Sequence, residues 1–297
     1  MCHIAGYNLL VHHAAQSTVV LTAHFRPASF AKLVTTYGVT SCSLAPTMLH
    51  ALLTYIEESA TRLPTLRAIA YGSAAIPADL LRRAIAALDV DFHQGYGMTE
   101  TGGNVTFLGP DEHRAGAAGD LALLATAGRP HGDVEVGIVD AGGSAVVPDE
   151  VGEIVVRGAQ VAPGLTDAEG WLRTGDVGRI DADGRLVVVD RLKDVIVTGG
   201  ENVSSREVED ALSAHPDVDM AAVVGVPDEY WGEAICAVVV ARTGRHPSAD
   251  DLIAHVRSRI AAFKRPRHVI FVDSLPMTTN GKVDKTAVRQ RARHLTM

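Results

Sequence analysis

The sequence predicts an α/β fold in three parts: part of a parallel α/β sheet subdomain over residues 1–128, an antiparallel β subdomain over 129–191, and a small α+β C-terminal domain over 192–297. Three changes of pattern carry this reading. Up to about residue 97, short β-branched runs alternate with amphipathic stretches, the βαβα order of a parallel sheet. From Arg129 the runs are short and divided by Asp- and Gly-containing turns. Beyond the charged turn Asp190-Arg191-Leu192-Lys193-Asp194, capped helical segments alternate with longer apolar runs.

In chain order, Val19–Leu21 reads as a strand and Pro27–Tyr37 as a helix with proline in its first turn. Thr40–Leu44 is the next strand. Pro46 opens a helix whose Met48, Leu49, Leu52, Leu53 and Ile56 share one face. Leu66–Tyr71 is a strand ending in the small-residue turn Gly72-Ser73-Ala74-Ala75, and Pro77 starts a helix with Leu80, Leu81, Ile85 and Leu88 inward. Val90–His93 runs into Gly95-Tyr96-Gly97, so two glycine turns fall at the carboxyl ends of predicted parallel strands, where ligands of such sheets sit. Val134–Val139, Glu153–Arg157, Val177–Ile180 and Leu186–Val189 are the short strands of the second part, with turns at 140–143 and 181–184. In the third, Ser204-x-x-Glu207 and the looser Ser248-x-x-Asp251 start helices through about 214 and 261, and Ala221–Val226 and Ile235–Ala241 are buried strands.

Composition narrows the function classes. Hydrophobic residues make up 47% and charged residues 21% of the 297, which suits a globular chain and not a disordered one. No apolar run reaches the length of a membrane span, and the start has no basic and apolar leader pattern. The three cysteines have no disulfide or zinc spacing, so a reducing cytoplasmic setting is expected. Net charge is −8, yet residues 257–297 hold ten Lys or Arg against two Asp. An acidic body argues against a nucleic-acid partner, while the basic tail suits a small polyphosphate. A solvated helix face is the alternative reading of that tail.

Four motifs carry chemistry. Gly95-Tyr96-Gly97-Met98-Thr99-Glu100 offers close backbone approach, an aromatic face, a hydroxyl and a carboxylate suited to Mg²⁺ beside phosphates. An ordinary turn with an exposed glutamate is its alternative. Asp176, ending Trp171-Leu172-Arg173-Thr174-Gly175-Asp176, is able to accept from a ribose diol. Arg191 presents a fork of donors to phosphate or ribose oxygens, or pairs on the surface with Asp190 or Asp194. Asn280-Gly281-Lys282 puts a flexible cation in a glycine loop.

In this order, the motifs resemble the adenylate-forming (AMP-binding) superfamily of acyl-CoA synthetases, firefly luciferase and peptide-synthetase adenylation domains. The resemblance covers nearly the whole chain, with support from Ala127–Pro130, Gly152–Gly158, Trp231–Glu233 and Phe263–Pro266. Gly95–Glu100 and Gly199-Gly200-Glu201-Asn202-Val203 are similar to the acyl-CoA synthetase, or fatty-acid–CoA ligase, versions.

The resemblance implies an acid–thiol ligase that uses ATP, Mg²⁺ and coenzyme A on a small-molecule carboxylate, a fatty acid. Thr99 would hold phosphate, Glu100 the metal, and Asp176 with Arg191 the ribose. Tyr96, Gly97, Ser73, Ala74 and Ala75 would flank the nucleotide, and Lys282 would bridge the carboxylate and the α-phosphate. His3, Tyr71 and Gly72 would line an acyl pocket. Lys193 would be the hinge of the small domain, and Gly199, Gly200, Glu201 and Asn202 the loop of the thioester site.

Two departures stand beside the resemblance. The family's Ser/Thr/Gly-rich phosphate loop belongs upstream of His3, and the stretch 162–170 is shorter than the family's. The chain therefore reads as truncated, with an N-terminal half or a homo-oligomer as expected partner. A carrier-protein thiol as acceptor, a non-catalytic acyl- or nucleotide-binding remnant, and half of a split enzyme remain alternatives.

Overall fold

Proline and glycine set the helix ends in the first part of the chain. In the computed structural model, which describes residues 3–296 apart from 73, 75, 279 and 280, α1 (His3–Ala14) is followed by α2 (Pro27–Tyr37). Pro27 sits at the helix start, and Gly38, with φ +61°, closes its end in the left-handed region. Residues 19–21 form no strand: Val19 is 36% and Leu21 63% exposed, because a three-residue run with no partner cannot bury its faces.

The first sheet is built from β1 (Ser41–Leu44), α3 (Pro46–Ser59), β2 (Ala68–Gly72), α4 (Ala78–Ala87), β3 (Asp91–Met98), β4 (Gly103–Leu108), α5 (Pro110–Ala118), α6 (Leu121–Leu124) and β5 (Arg129–Pro130). Its strands run in the order β1-β2-β3-β4-β5, parallel from β1 to β3 and antiparallel from β3 to β5. The parallel half matches the expected βαβα order; the antiparallel half comes from a return after Met98 too short for a crossover. Leu49, Leu52 and Leu53 of α3, Leu81 of α4, Ile69 and Phe92 are fully buried together, so the predicted helix faces do form the core.

The second sheet runs β6 (Glu135–Val139), β7 (Gly152–Arg157), β8 (Leu172–Ile180), β9 (Leu186–Arg191) in consecutive order. Its turns are closed by Asp140 and Asp181, each accepting backbone N–H groups within its own turn.

The last part holds β10 (Ile196–Thr198), β11 (Glu201–Val203), α7 (Ser205–Ser213), β12 (Val218–Asp228), β13 (Gly232–Ala241), α8 (Ala249–Arg259), β14 (His268–Phe271) and α9 (Lys285–Thr296). The sheet order is β11-β10-β13-β12, with β14 parallel to β13. β13 is buried on both faces: Ile235, Ala237 and Val239 pack toward α7 and α8, Cys236 and Val238 toward α9. The looser Ser248 motif forms the complete reciprocal box with Asp251. At α7 Ser204 accepts from Glu207 N, while the Glu207 carboxylate is held by Lys264 at 2.6 Å.

The chain divides into two compact units. The first is residues 1–150, 154–174 and 180–187; the second is 151–153, 175–179 and 188–297. No helix among the described residues is long and apolar enough to cross a membrane.

Candidate active site

In the first unit the Gly95–Gly97 segment is not a turn. It continues β3 to Met98, and the turn follows at Thr99–Thr101. Gly97 and Gly72 are required by neighbouring strand backbone, and Gly95 faces the Asn104 side chain. A Cβ on Gly97 would lie 2.0 Å from the Gly103 carbonyl oxygen, one on Gly95 2.2 Å from Asn104 Nδ2, and one on Gly72 2.6 Å from the Gly95 carbonyl. A side chain at Gly72 would thus run into the backbone of β3.

Thr99 and Glu100 are exposed on this turn, and Tyr96 is partly buried one strand position from Gly97. Thr101 fixes the turn from within: its buried hydroxyl accepts from Met98 N at 2.9 Å and lies 2.7 Å from the Gly103 carbonyl. Gln160 Nε2 donates to the Thr101 carbonyl at 2.8 Å, and Ala162 N donates to the Glu100 carbonyl at 2.9 Å. The 160–162 segment therefore clamps the hydroxyl–carboxylate pair from beneath. Thr101 and Gln160 escaped sequence reasoning, because a clamp between positions 59 apart leaves no local signal.

Tyr71 lies in the interior of the first unit. It is 4% exposed, and its hydroxyl lies 2.8 Å from His113 Nε2. His113 Nδ1 is 2.7 Å from the Gly109 carbonyl, which only accepts, so Nδ1 carries the proton and Tyr71 donates to Nε2. Burial holds the His113 pKa below its ordinary value, in keeping with this neutral ring. Ala74 is exposed; Ser73 and Ala75 lie outside the described residues, as does the side chain of His3, which opens α1.

The second unit brings three predicted residues together. Asp176, 5% exposed in the middle of β8, receives Arg191 from the end of β9, with Nε 3.2 Å from Oδ1. Of the surface partners considered for Arg191, neither Asp190 nor Asp194 is the one found. Lys282 is half-buried close by. Its pKa is lowered from the ordinary lysine value, first by burial and then by the Arg191 charge, with Asp176 pulling the other way. The described residues on either side of 279 and 280 are tied to one another. Met277 bridges Val283, Thr278 N donates to the Lys282 carbonyl at 2.7 Å, and Lys282 N donates to Thr278 Oγ1 at 3.2 Å. Gly281 occupies φ +74°, which explains the glycine before the lysine. Two cations and one buried carboxylate thus converge, an arrangement able to hold an anion beside a hydroxyl-bearing group.

Lys193 is exposed in a single helical turn, Leu192–Asp194. Gly199 and Gly200, with φ +61° and +84°, form the two-residue turn of the β10–β11 hairpin, with Glu201 and Asn202 exposed on its return strand. Gly199 N donates to the Trp231 carbonyl at 2.8 Å, and a Cβ there would meet the Trp231 ring at 2.7 Å. Arg267 stacks on that ring, 4.0 Å from its centroid. The Thr198 hydroxyl at the hairpin base is buried without a partner. No cluster of three or more His, Cys, Asp or Glu among the described residues is placed to hold a metal ion.

The AMP-binding enzyme family model matches residues 1–166, and the AMP-binding enzyme C-terminal domain model matches 207–282. The fatty acid–[acyl-carrier-protein] ligase ScoC of Streptomyces coeruleorubidus is 37% identical, over 93% of this chain and 54% of its own length. The medium/long-chain-fatty-acid–CoA ligase FadD8 of Mycobacterium tuberculosis is 39% identical, over 92% and 50%. Among solved structures, the amide bond synthetase McbA from Marinactinospora thermotolerans superposes with a TM-score of 0.84 at 38% identity, covering 93% of this chain and 56% of that one. ATP-bound MatB from Rhodopseudomonas palustris gives 0.86 at 29% identity, covering 99% and 59%. The chain spans about half the length of the curated relatives it matches.

Proposed function

Because the chain belongs to the AMP-binding enzyme family, we propose that it serves the ATP-dependent activation of a small carboxylic acid, of fatty-acid type, and its transfer to the thiol of coenzyme A. In the first step a carboxylate oxygen attacks the α-phosphorus of ATP and the bond to pyrophosphate breaks. In the second the sulfur of a thiolate attacks the acyl carbon, AMP leaves with the oxygen, and the thiol proton passes to solvent.

The observation that carries this reading is the convergence of Asp176, Arg191 and Lys282 in one unit. Asp176 accepts hydrogen bonds from the ribose hydroxyls, and Arg191 holds it in place while adding positive charge. Lys282 sits where the incoming carboxylate and the α-phosphate both bear negative charge. Partial burial reduces the screening of that attraction, and removing such a contact costs roughly 10²–10³ in rate. Thr99 binds phosphate, and Glu100 supplies one oxygen ligand to Mg²⁺. A single carboxylate fits a metal held mainly by substrate phosphates, and such an ion, when bound, would offset the negative charge of the pyrophosphate. Tyr96, Gly97 and Ala74 border the nucleotide.

For the acceptor, the Gly199–Gly200 hairpin and the stacked Arg267–Trp231 pair offer a cationic aromatic surface suited to the phosphates and adenine of coenzyme A. A small domain over 192–297, pivoting at Lys193, exchanges Lys282 for this hairpin between the steps. A carrier-protein thiol is the second reading of the acceptor, favoured by the 37% identity to ScoC. The whole protein is cytoplasmic in this reading.

The test is AMP and thioester formation from Mg·ATP, a fatty-acid panel and either coenzyme A or pantetheinylated carrier, alone and after adding polypeptide covering the unmatched half of a relative. Lys282→Ala should abolish adenylation and spare thioester formation from supplied acyl-adenylate. Equal loss of both steps, or full adenylation by the variant, would remove Lys282 from this role.

A further inference from the structure

The end of β9 is stitched to the first turn of α7 through three consecutive residues. The Val188 carbonyl accepts from Arg206 Nη1 at 2.6 Å, and the Val189 carbonyl lies 3.0 Å from Ser204 Oγ. Asp190 Oδ2 accepts from Ser205 N at 2.6 Å and from Ser205 Oγ at 2.8 Å. Its other oxygen, Oδ1, accepts from Arg191 N at 2.8 Å. Behind this carboxylate Lys285 donates to Ser205 Oγ at 2.6 Å and pairs with Glu209 at 2.9 Å. A continuous polar chain therefore runs from α9 through α7 to the backbone of Arg191.

Helix capping alone does not account for it. Ser204 already caps α7 by accepting from Glu207 N. A second, sequence-distant cap adds to helix stability, yet what it fixes at its other end is the residue that pairs with Asp176. Asp190 is 8% exposed, and its carboxylate at a helix N-terminus is held by dipole as well as by hydrogen bonds. On the far side of Lys193, Asp194 is likewise anchored, to Arg289 of α9 at 3.1 Å.

We propose that Asp190 is a positioning residue: by gripping the N-terminus of α7 with one oxygen and the Arg191 amide with the other, it holds Arg191 against Asp176 and beside Lys282. Its value to the reaction rests on the function proposed above, and a swing about Lys193 has to break its bonds to α7. The grip itself is testable without turnover. Loosening it lets the Arg191 charge move away from Lys282, whose amine then titrates higher.

The experiment is competitive acylation of the full chain with acetic anhydride across pH 7–10, reading Lys282 by peptide mass spectrometry. Asp190→Asn should lower Lys282 labelling at pH 8 several-fold, about tenfold being the change for one pH unit in the amine's titration. Ser205→Ala, which removes one of the two donors from Ser205, should move it the same way by less. Ser248→Ala, which uncaps α8 instead, should destabilise the unit without moving it. Unchanged labelling in folded Asp190→Asn, or an equal change in Ser248→Ala, would overturn the proposal. Should Asp190→Asn not fold, Ser205→Ala decides, and no change there is fatal. A labelling shift in a chain that makes no adenylate would leave Asp190 standing and sink the proposed reaction.

Discussion

Lys282 is held where a lysine is least comfortable: half-buried, with Arg191 acting on it and a carboxylate that compensates only in part. Both the burial and the Arg191 charge disfavour the protonated form, so the charged side chain costs stability that the site retains for binding an anion. The unfolded chain binds this proton more tightly than the folded one. Stability from this group is therefore lowest below the depressed folded pKa and rises as pH climbs toward the ordinary 10.5. Lys282→Met should accordingly raise the urea midpoint at pH 7.5. The gain should be about 0.5–1 kcal/mol, the lower part of the usual stabilising range because solvent screens a half-buried group. The variant should also lose the rise toward pH 10. A variant less stable than the parent at pH 7.5 would show that Asp176 outweighs the other two influences. The residues of this cluster were readable one at a time in the sequence. Their meeting was not, since it depends on which side of β8 and β9 faces Lys282.

At the scale of elements, proline starts, glycine stops and apolar spacing placed α2, α3 and α4 and the buried strand β13, because each signal lies within one turn or one strand of the residue it governs. The misreadings came from non-local demands. Gly95-Tyr96-Gly97 looks like a turn, yet its glycines permit β3 and β4 to approach across a register shift between Tyr96 and Gly97. Val19–Leu21 has strand composition but no strand to pair with. Helix α9 was legible only as the solvated-face alternative for the basic tail, because its apolar side is short: Val288 and Ala292, four apart, are the buried pair that seats it. Gly97→Ala tests the reassignment of the glycine. Its methyl would stand 2.0 Å from backbone that cannot swing aside, so the Thr99–Glu100 turn should move and the first unit lose about 1–3 kcal/mol, the usual penalty for overpacking. Loss of nucleotide binding at unchanged stability would instead return Gly97 to the role of ligand contact.

At the scale of the whole molecule, each compact unit carries one tryptophan and a histidine whose pKa burial lowers, His113 fully buried and His255 partly so. His113 lies in the first, between Tyr71 and the Gly109 carbonyl. His255 lies in the second, its ring 4.8 Å from that of His215 and its Nε2 buried without a partner. Burial lowers both pKa values, and at His255 the Arg259 and His215 charges lower it further. The unfolded imidazoles take up protons near 6.5, whereas the folded ones do so only at lower pH. The stability from each is therefore whole above 6.5 and is lost as pH falls toward the folded value, at up to about 1.4 kcal/mol per pH unit. Trp171 reports on the first unit and Trp231 on the second, so Trp231→Phe and Trp171→Phe backgrounds isolate the two fluorescence signals. Urea titrations at pH 7.5 and 5.5 should show both transitions moving to lower urea on acidification. His113→Asn should abolish the movement of the Trp171 signal alone, and His255→Leu that of the Trp231 signal alone. One substitution flattening both signals would mean that the two units unfold as one cooperative body. Movement that survives both substitutions would place the acid sensitivity on other groups.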